Sequence, residues 1–142
     1  MFNQPQKLKF KKCFKTKRKH YSLERSSNMP KFGGLALQAI NYGQFSAVQI
    51  EAIRRILRRG VKKLGNIKIN TFPSSVLTKK PVSARMGKGK GKVHKYITHV
   101  LKGKVVFELF QVSMRKRKSS FSAFSKAIKK LPFRARVIFL KY

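Results

Sequence analysis

Any fold of this chain has to be built with three carboxylates. Glu24, Glu51 and Glu108 face 36 lysines and arginines in 142 residues, a formal net charge of +33. Internal ion pairs can neutralise only a small share of those cations, and the rest repel one another unless a polyanion lies against them. With 42% hydrophobic residues there is still material for one modest core, so the chain is not simply a disordered basic tail. Nucleic acid is the polyanion that such a balance usually meets, and an anionic membrane surface is the rival. The scarcity of carboxylates also leaves little from which to build an acid–base pair. One cysteine, Cys13, and three scattered histidines, His20, His94 and His99, do not spell a zinc site. Neither catalysis, a metal nor a cofactor is expected. No stretch approaches the roughly 18 consecutive apolar residues of a membrane-spanning helix.

Along the chain, residues 1–31 have the composition of an arm. Lys7, Lys9, Lys11, Lys12, Lys15, Lys17 and Arg18 follow one another with Glu24 as the single acid. Such a segment cannot bury enough apolar surface to order itself. Phe10, Phe14 and Tyr21 are interleaved among these cations, as stacking on bases would require. A purely solvated tail is the plainer alternative. Phe32-Gly33-Gly34 marks the expected boundary with a single domain over 32–142, and Leu35 to Ile40 is an apolar run of strand length.

The next segment predicts a helix. Ser46 is placed as N-cap with Gln49 completing a capping box, and Phe45 and Ile50 fit the two positions of a hydrophobic staple. Ile50, Ile53, Leu57, Val61 and Leu64 recur at spacings of three and four, an apolar stripe. Gly65 is the expected stop, and Gly60, inside the helix, suggests close approach of another backbone. Glu51, in the early turns, would favour the helix dipole. Two cationic rows remain on the outer face: Arg54, Arg58 and Lys62, then Arg55, Arg59 and Lys63. A merely solvated face normally mixes signs, so these rows suit phosphate.

Residues 66–72 alternate like a half-buried strand. Residues 93–101 and 104–110 read as two strands of a hairpin across Lys102-Gly103. A second helix is expected behind Ser119 or Ser120, with Phe121, Phe124, Ile128 and Leu131 as its apolar stripe, and residues 134–140 as a last strand. The fold class is therefore α+β: an antiparallel or mixed sheet packed against two helices, with the basic arm at one end and a long projecting loop over 74–92. The heart of that loop is Arg85-Met86-Gly87-Lys88-Gly89-Lys90-Gly91-Lys92. Glycines spaced by two and followed by a strand fit neither a P-loop nor a dinucleotide fingerprint. They make a flexible cationic finger.

Gln49-Ile50-Glu51-Ala52 with Arg54-Arg55, Lys80-Pro81, and Arg85-Met86-Gly87-Lys88-Gly89-Lys90-Gly91 together resemble the ribosomal L-sixteen family of the large subunit, bacterial and organellar type. Gln4-Pro5 ahead of a Lys-rich arm, Gly103-Lys104-Val105 with Glu108, and Lys130-Leu131-Pro132 extend the resemblance over nearly the whole chain. Departures are Phe72-Pro73-Ser74-Ser75, His94, Tyr96 and Val48, where the family carries acidic, aromatic or basic residues of other types. The resemblance implies a structural part of the large subunit, bound to large-subunit rRNA and to neighbouring ribosomal proteins. It also implies a loop, here Arg85 to Lys92, reaching toward tRNA in the A-site region near the peptidyl transferase centre, and a role in late assembly. Arg85 matches a position that some bacterial members hydroxylate. No homo-oligomer is expected. Abundant Lys, Phe and Ile without Trp, and a start close to Gln4, point to an organellar setting, a mitochondrion ahead of a plastid or a bacterial cytoplasm. The alternative function is a basic membrane-surface protein that uses the helix over 47–64.

Overall fold

The computed structural model describes residues 5, 8–14, 23–32, 34–61, 65–87, 89–110 and 117–139. The elements run β1 (Leu35–Ala39), β2 (Gly43–Ser46), α1 (Ala47–Gly60), β3 (Asn66–Ile69), β4 (Ser75–Lys79), β5 (Lys92–Val100), β6 (Val105–Phe110), α2 (Arg117–Ile128) and β7 (Ala135–Phe139). They make an α+β fold of two antiparallel sheets, ordered β3-β6-β1-β7 and β2-β5-β4.

The start of α1 follows directly from its residues. Ser46 is extended, its hydroxyl accepts from the Gln49 N–H at 3.3 Å, and the Gln49 side chain accepts from the Ser46 N–H at 3.0 Å. Two amides that a helix start leaves unpaired are thereby satisfied. Phe45 and Ile50, the staple pair, are both fully buried. Ile53, Leu57 and Val61 continue the stripe into the core, while Leu64 lies outside the described residues. The helix stops earlier than Gly65 suggests. Val61 leaves helical geometry at φ −107°, ψ 12°, immediately after Gly60, a residue of low helix propensity. Gly60 itself meets the second helix: a Cβ there would lie 2.4 Å from the Cβ of Ala123.

The expected hairpin of residues 93–101 and 104–110 does not form. β5 pairs with β2 and β4, and β6 pairs with β1 and β3. The turn around Gly103, at φ +87°, passes the chain from one sheet to the other, where β1 is the partner that buries the apolar run of β6. Of the expected α2 stripe, Phe124, Ile128 and Leu131 pack on the core, whereas Phe121 is 45% exposed and stacks on Phe139; Ser120, Ala123 and Ala127 are buried as well. Ser119 and Ser120 stand inside the helix rather than capping it. β2 and β4 are strands that the sequence concealed. Residues 75–79 form a five-residue rung against β5, so the unpaired connection is 80–91 and not the whole of 74–92.

Leu35, Leu37 and Ala39 point into the core with Phe107, Leu109, α1 and α2. Their neighbours Ala36 and Gln38 occupy the opposite face of the sheet, and they too are buried. The cover on that side comes from residues 23–32. Gln38 Nε2 donates to the carbonyl of Asn28 at 2.7 Å, Val105 N–H to Ser27 at 2.8 Å and Glu24 N–H to Lys102 at 2.9 Å. Glu108, opposite Ala36 in register, accepts from the backbone N–H groups of Lys31 (3.2 Å) and Phe32 (3.3 Å) and from the Asn70 amide. The end of the basic segment is thus a strap across the sheet. Gly34, at φ +81°, turns the strap into β1, and a Cβ there would lie 2.3 Å from the Leu109 carbonyl.

Phe45 joins the layers, packing edge-on against Phe107 and Phe133 at 6.2 and 5.5 Å. Phe45→Ala is expected to destabilise the chain by about 3–5 kcal/mol. Denaturant unfolding in moderate salt measures this, and a loss below about 1 kcal/mol would show that the layers do not depend on this ring.

Candidate nucleic-acid interface

On α1 the acid and its arginines sort themselves by distance. Glu51 accepts from Arg54 at 2.8 and 2.7 Å and from Arg55 at 3.1 Å. The two-pronged hydrogen bond from Arg54, ahead of the attraction of Arg55, holds the Glu51 carboxyl down to about 2 and raises the Arg54 guanidinium. The first helical turn carries no acid, so Glu51 acts as partner to these arginines rather than as a dipole anchor. Arg58 and Arg59 are exposed in the last turn, and no carboxylate among the described residues reaches them. Cations are favourable there, at the negative end of the helix dipole, and remain available to an external anion. Lys62 and Lys63 lie outside the described residues, as do Lys7, Lys15, Lys17, Arg18, Tyr21 and Lys88.

The other two carboxylates are likewise occupied within the fold. Glu24 accepts from the Ser26 hydroxyl at 2.8 Å and faces Lys104 at 3.9 Å. Glu108 is fully buried in the strap contact. None of the three lies against the glycine-rich loop.

That loop joins β4 to β5. Gly91 is required where the stems meet, since a Cβ would stand 2.6 Å from the Lys79 carbonyl oxygen. Gly87 and Gly89, at φ +91° and +77°, have open space around them. Residues 81–87 are exposed, Arg85 among them, and Met86 is 99% exposed. Lys80 Nζ donates to the carbonyl of Gly87 across the loop. The stem carries further cations: Lys79 pairs with Lys92, already counted in the loop, and Leu77 with Lys95, which the loop motif did not include, and residues 92–95 are exposed throughout. The absence of apolar alternation over Lys92-Val93-His94-Lys95 was the available signal, a strand end that faces no core.

Part of the arm meets the loop. Lys12 Nζ donates to the Lys90 carbonyl at 3.2 Å, Lys90 Nζ donates to the Cys13 carbonyl, and its ammonium lies 5.0 Å from the Phe14 ring. Phe10 and Phe14 are 68% and 94% exposed, and Lys9 and Lys11 are exposed beside them. Arm and loop are brought together, whereas none of these described contacts includes the arginines of α1. His99 meets the Tyr42 hydroxyl at 2.5 Å, while His94 is exposed on the stem. No group of three or more metal-ligating side chains occurs among the described residues.

The ribosomal protein L16p/L10e family matches residues 5–138. The chain is 36% identical over 138 residues to the large ribosomal subunit protein uL16 of Blochmanniella pennsylvanica (strain BPEN), covering 97% of this chain and 98% of that one. It is 38% identical over 131 residues to the uL16 of Buchnera aphidicola subsp. Cinara cedri (strain Cc), covering 92% of each. With the uL16 of Wigglesworthia glossinidia brevipalpis it shares 40% identity over 110 residues, 78% of this chain and 79% of the relative.

Because the folded-state pKa of Glu51 is depressed, its pairing stabilises the helix fully above the ordinary carboxylate value of 4.5 and is lost as pH falls toward about 2. The group is partly exposed, so Glu51→Gln should cost no more than about 0.5 kcal/mol at neutral pH and nothing near pH 2. Thermal unfolding across pH checks this, and an equal loss at both ends would contradict it.

Proposed function

The chain belongs to the ribosomal protein L16p/L10e family, and from that premise we propose that it is a structural component of the large ribosomal subunit that lies on large-subunit rRNA and contributes cations to the tRNA region. It is a ribosomal protein and not an enzyme. The observation that carries the RNA reading is the distribution of charge. Each of the three carboxylates is engaged inside the fold, and Arg58, Arg59, the loop and the stem face outward without them. Phosphate contact would neutralise these groups, adding about 0.7 to 0.9 per contact to the salt dependence of binding.

The membrane-surface alternative loses its helix. Ile50, Ile53, Leu57 and Val61 are in the core and cannot also enter a lipid surface. Among the described residues, no helix is long and apolar enough to cross a membrane.

In this proposal the arm (1–31) and the face of α1 hold rRNA, and the loop from Arg85 to Lys92 approaches the A-site tRNA near the peptidyl transferase centre. Neighbouring subunit proteins are further partners, the role extends to subunit assembly, and the chain acts as one copy rather than as a homo-oligomer. The relatives are bacterial and the protein is of the bacterial type. We place it in a mitochondrial ribosome on its Lys, Phe and Ile usage, with a plastid or a bacterial cytoplasm as the alternatives, the bacterial one being the setting of the relatives.

Arg85→Glu tests the loop. The side chain is exposed, so the melting temperature should stay within about 1 °C of the parent, as expected for a surface change. Binding of tRNA to large subunits carrying the variant should fall roughly tenfold, the scale of one lost charge-assisted hydrogen bond. A lowered melting temperature with normal tRNA binding would overturn the assignment.

A further inference from the structure

Where the strap crosses the end of β3, it leaves a recess of about 500 Å³ lined by Met29, Lys31, Phe32, Lys68, Asn70, Thr71 and Phe72, with Glu108 at its base. Four features of this recess call for a ligand of one kind. Phe72 lines it while 51% exposed, a flat apolar surface that a planar ring can cover. Asn70 donates its amide nitrogen to Glu108. A carboxylate only accepts, so this contact fixes the amide orientation and leaves Asn70 Oδ1 as an acceptor for an incoming N–H. Thr71 is 6% exposed, and its hydroxyl has no hydrogen-bond partner, a deficit that native structures seldom leave uncompensated. The Lys68 ammonium lies over the Phe32 ring, 3.5 Å from its centroid, so this cation covers one face of that ring and stands at the edge of the recess.

We propose that this recess is a binding site for an unpaired purine base of RNA, stacked on Phe72, with its amino group donating to Asn70 Oδ1, its ring or sugar pairing with the Thr71 hydroxyl, and its phosphate near Lys68. The proposal rests on the RNA-binding reading above and adds base selection to it. A purine suits the site better than a pyrimidine because it offers more surface to the Phe72 ring, and the exocyclic amino group of adenine supplies an N–H for Asn70 Oδ1 to accept. Glu108 acts as a positioning residue. Its contacts to Lys31, Phe32 and Asn70 hold both walls of the recess in place from beneath.

The test measures binding of the full chain to single-stranded dodecamers of adenosine and of uridine, which carry the same phosphates, over a range of salt. The parent should prefer the purine strand roughly five- to tenfold, the scale of stacking and one base contact. Thr71→Val removes an unpaired buried hydroxyl at nearly constant shape, so the variant should fold. It should lose much of the preference while keeping the salt slope, since no cation is altered. Phe72→Leu, at an exposed ring, should lower the preference in the same way. Equal binding of both strands by the parent, or a preference that both variants retain, overturns the recess and leaves the RNA reading standing if the salt slope persists. A slope near zero overturns the RNA reading, and the recess with it.

Discussion

The contact on which the architecture turns is the one made by Glu108. A carboxylate removed from water is costly unless it is hydrogen-bonded. Here three N–H donors surround it, two from the backbone of the strap and one from Asn70. The charge is therefore satisfied only when residues 31 and 32 cross the sheet. That crossing covers the second face of β1, and it explains why all five of its residues are buried although antiparallel sheets commonly leave one face to solvent. It also fixes where the basic arm leaves the body.

The three acids share a logic that matters for function. One ties Arg54 and Arg55 to their own helix, one holds the strap near Lys104, and one pins the strap to the sheet. Each uses negative charge to organise the fold and none screens the loop or the last turn of α1. In a chain of +33, Arg58, Arg59 and the described cations of the loop and stem are thereby left facing outward, where their mutual repulsion favours a polyanionic partner. The glycines of the loop serve the same end. Gly91 lets the stems close, and Gly87 and Gly89 adopt the left-handed geometry that other residues resist.

What could be read in the sequence was what local chemistry decides. Ser46, Gln49, Phe45 and Ile50 specify the start of α1 among themselves, and the stripe through Ile53, Leu57 and Val61 specifies its buried side. The α+β class and the family followed from such segments and from the loop motif. The misreadings depend on partners distant in the chain. Residues 93–101 and 104–110 look like a hairpin because both alternate and a Gly turn lies between them, and only competition from β1 and β2 separates them. Phe121 outranks Ala123 in hydrophobicity, yet the close approach of Gly60 demands a small residue facing α1. At the candidate interface the cations of arm, loop and helix were legible as residues. The meeting of Lys12 and Cys13 with Lys90 was not, because nothing local links positions so far apart, and the pairing of Lys92 and Lys95 on a stem was hidden by the unrecognised strand β4.

The central claim, that outward cations on separate elements rest on RNA, is tested most directly by ultraviolet protein–RNA cross-linking in intact large subunits, with cross-linked peptides mapped by mass spectrometry. The account predicts cross-links to rRNA within the arm around Phe10 to Phe14, within the last turn of α1 around Arg58, and along the loop and stem from Lys80 to Lys95. Cross-links confined to the outer side of α2 and β7, around Phe121 and Phe139, with none in those three places, would contradict it.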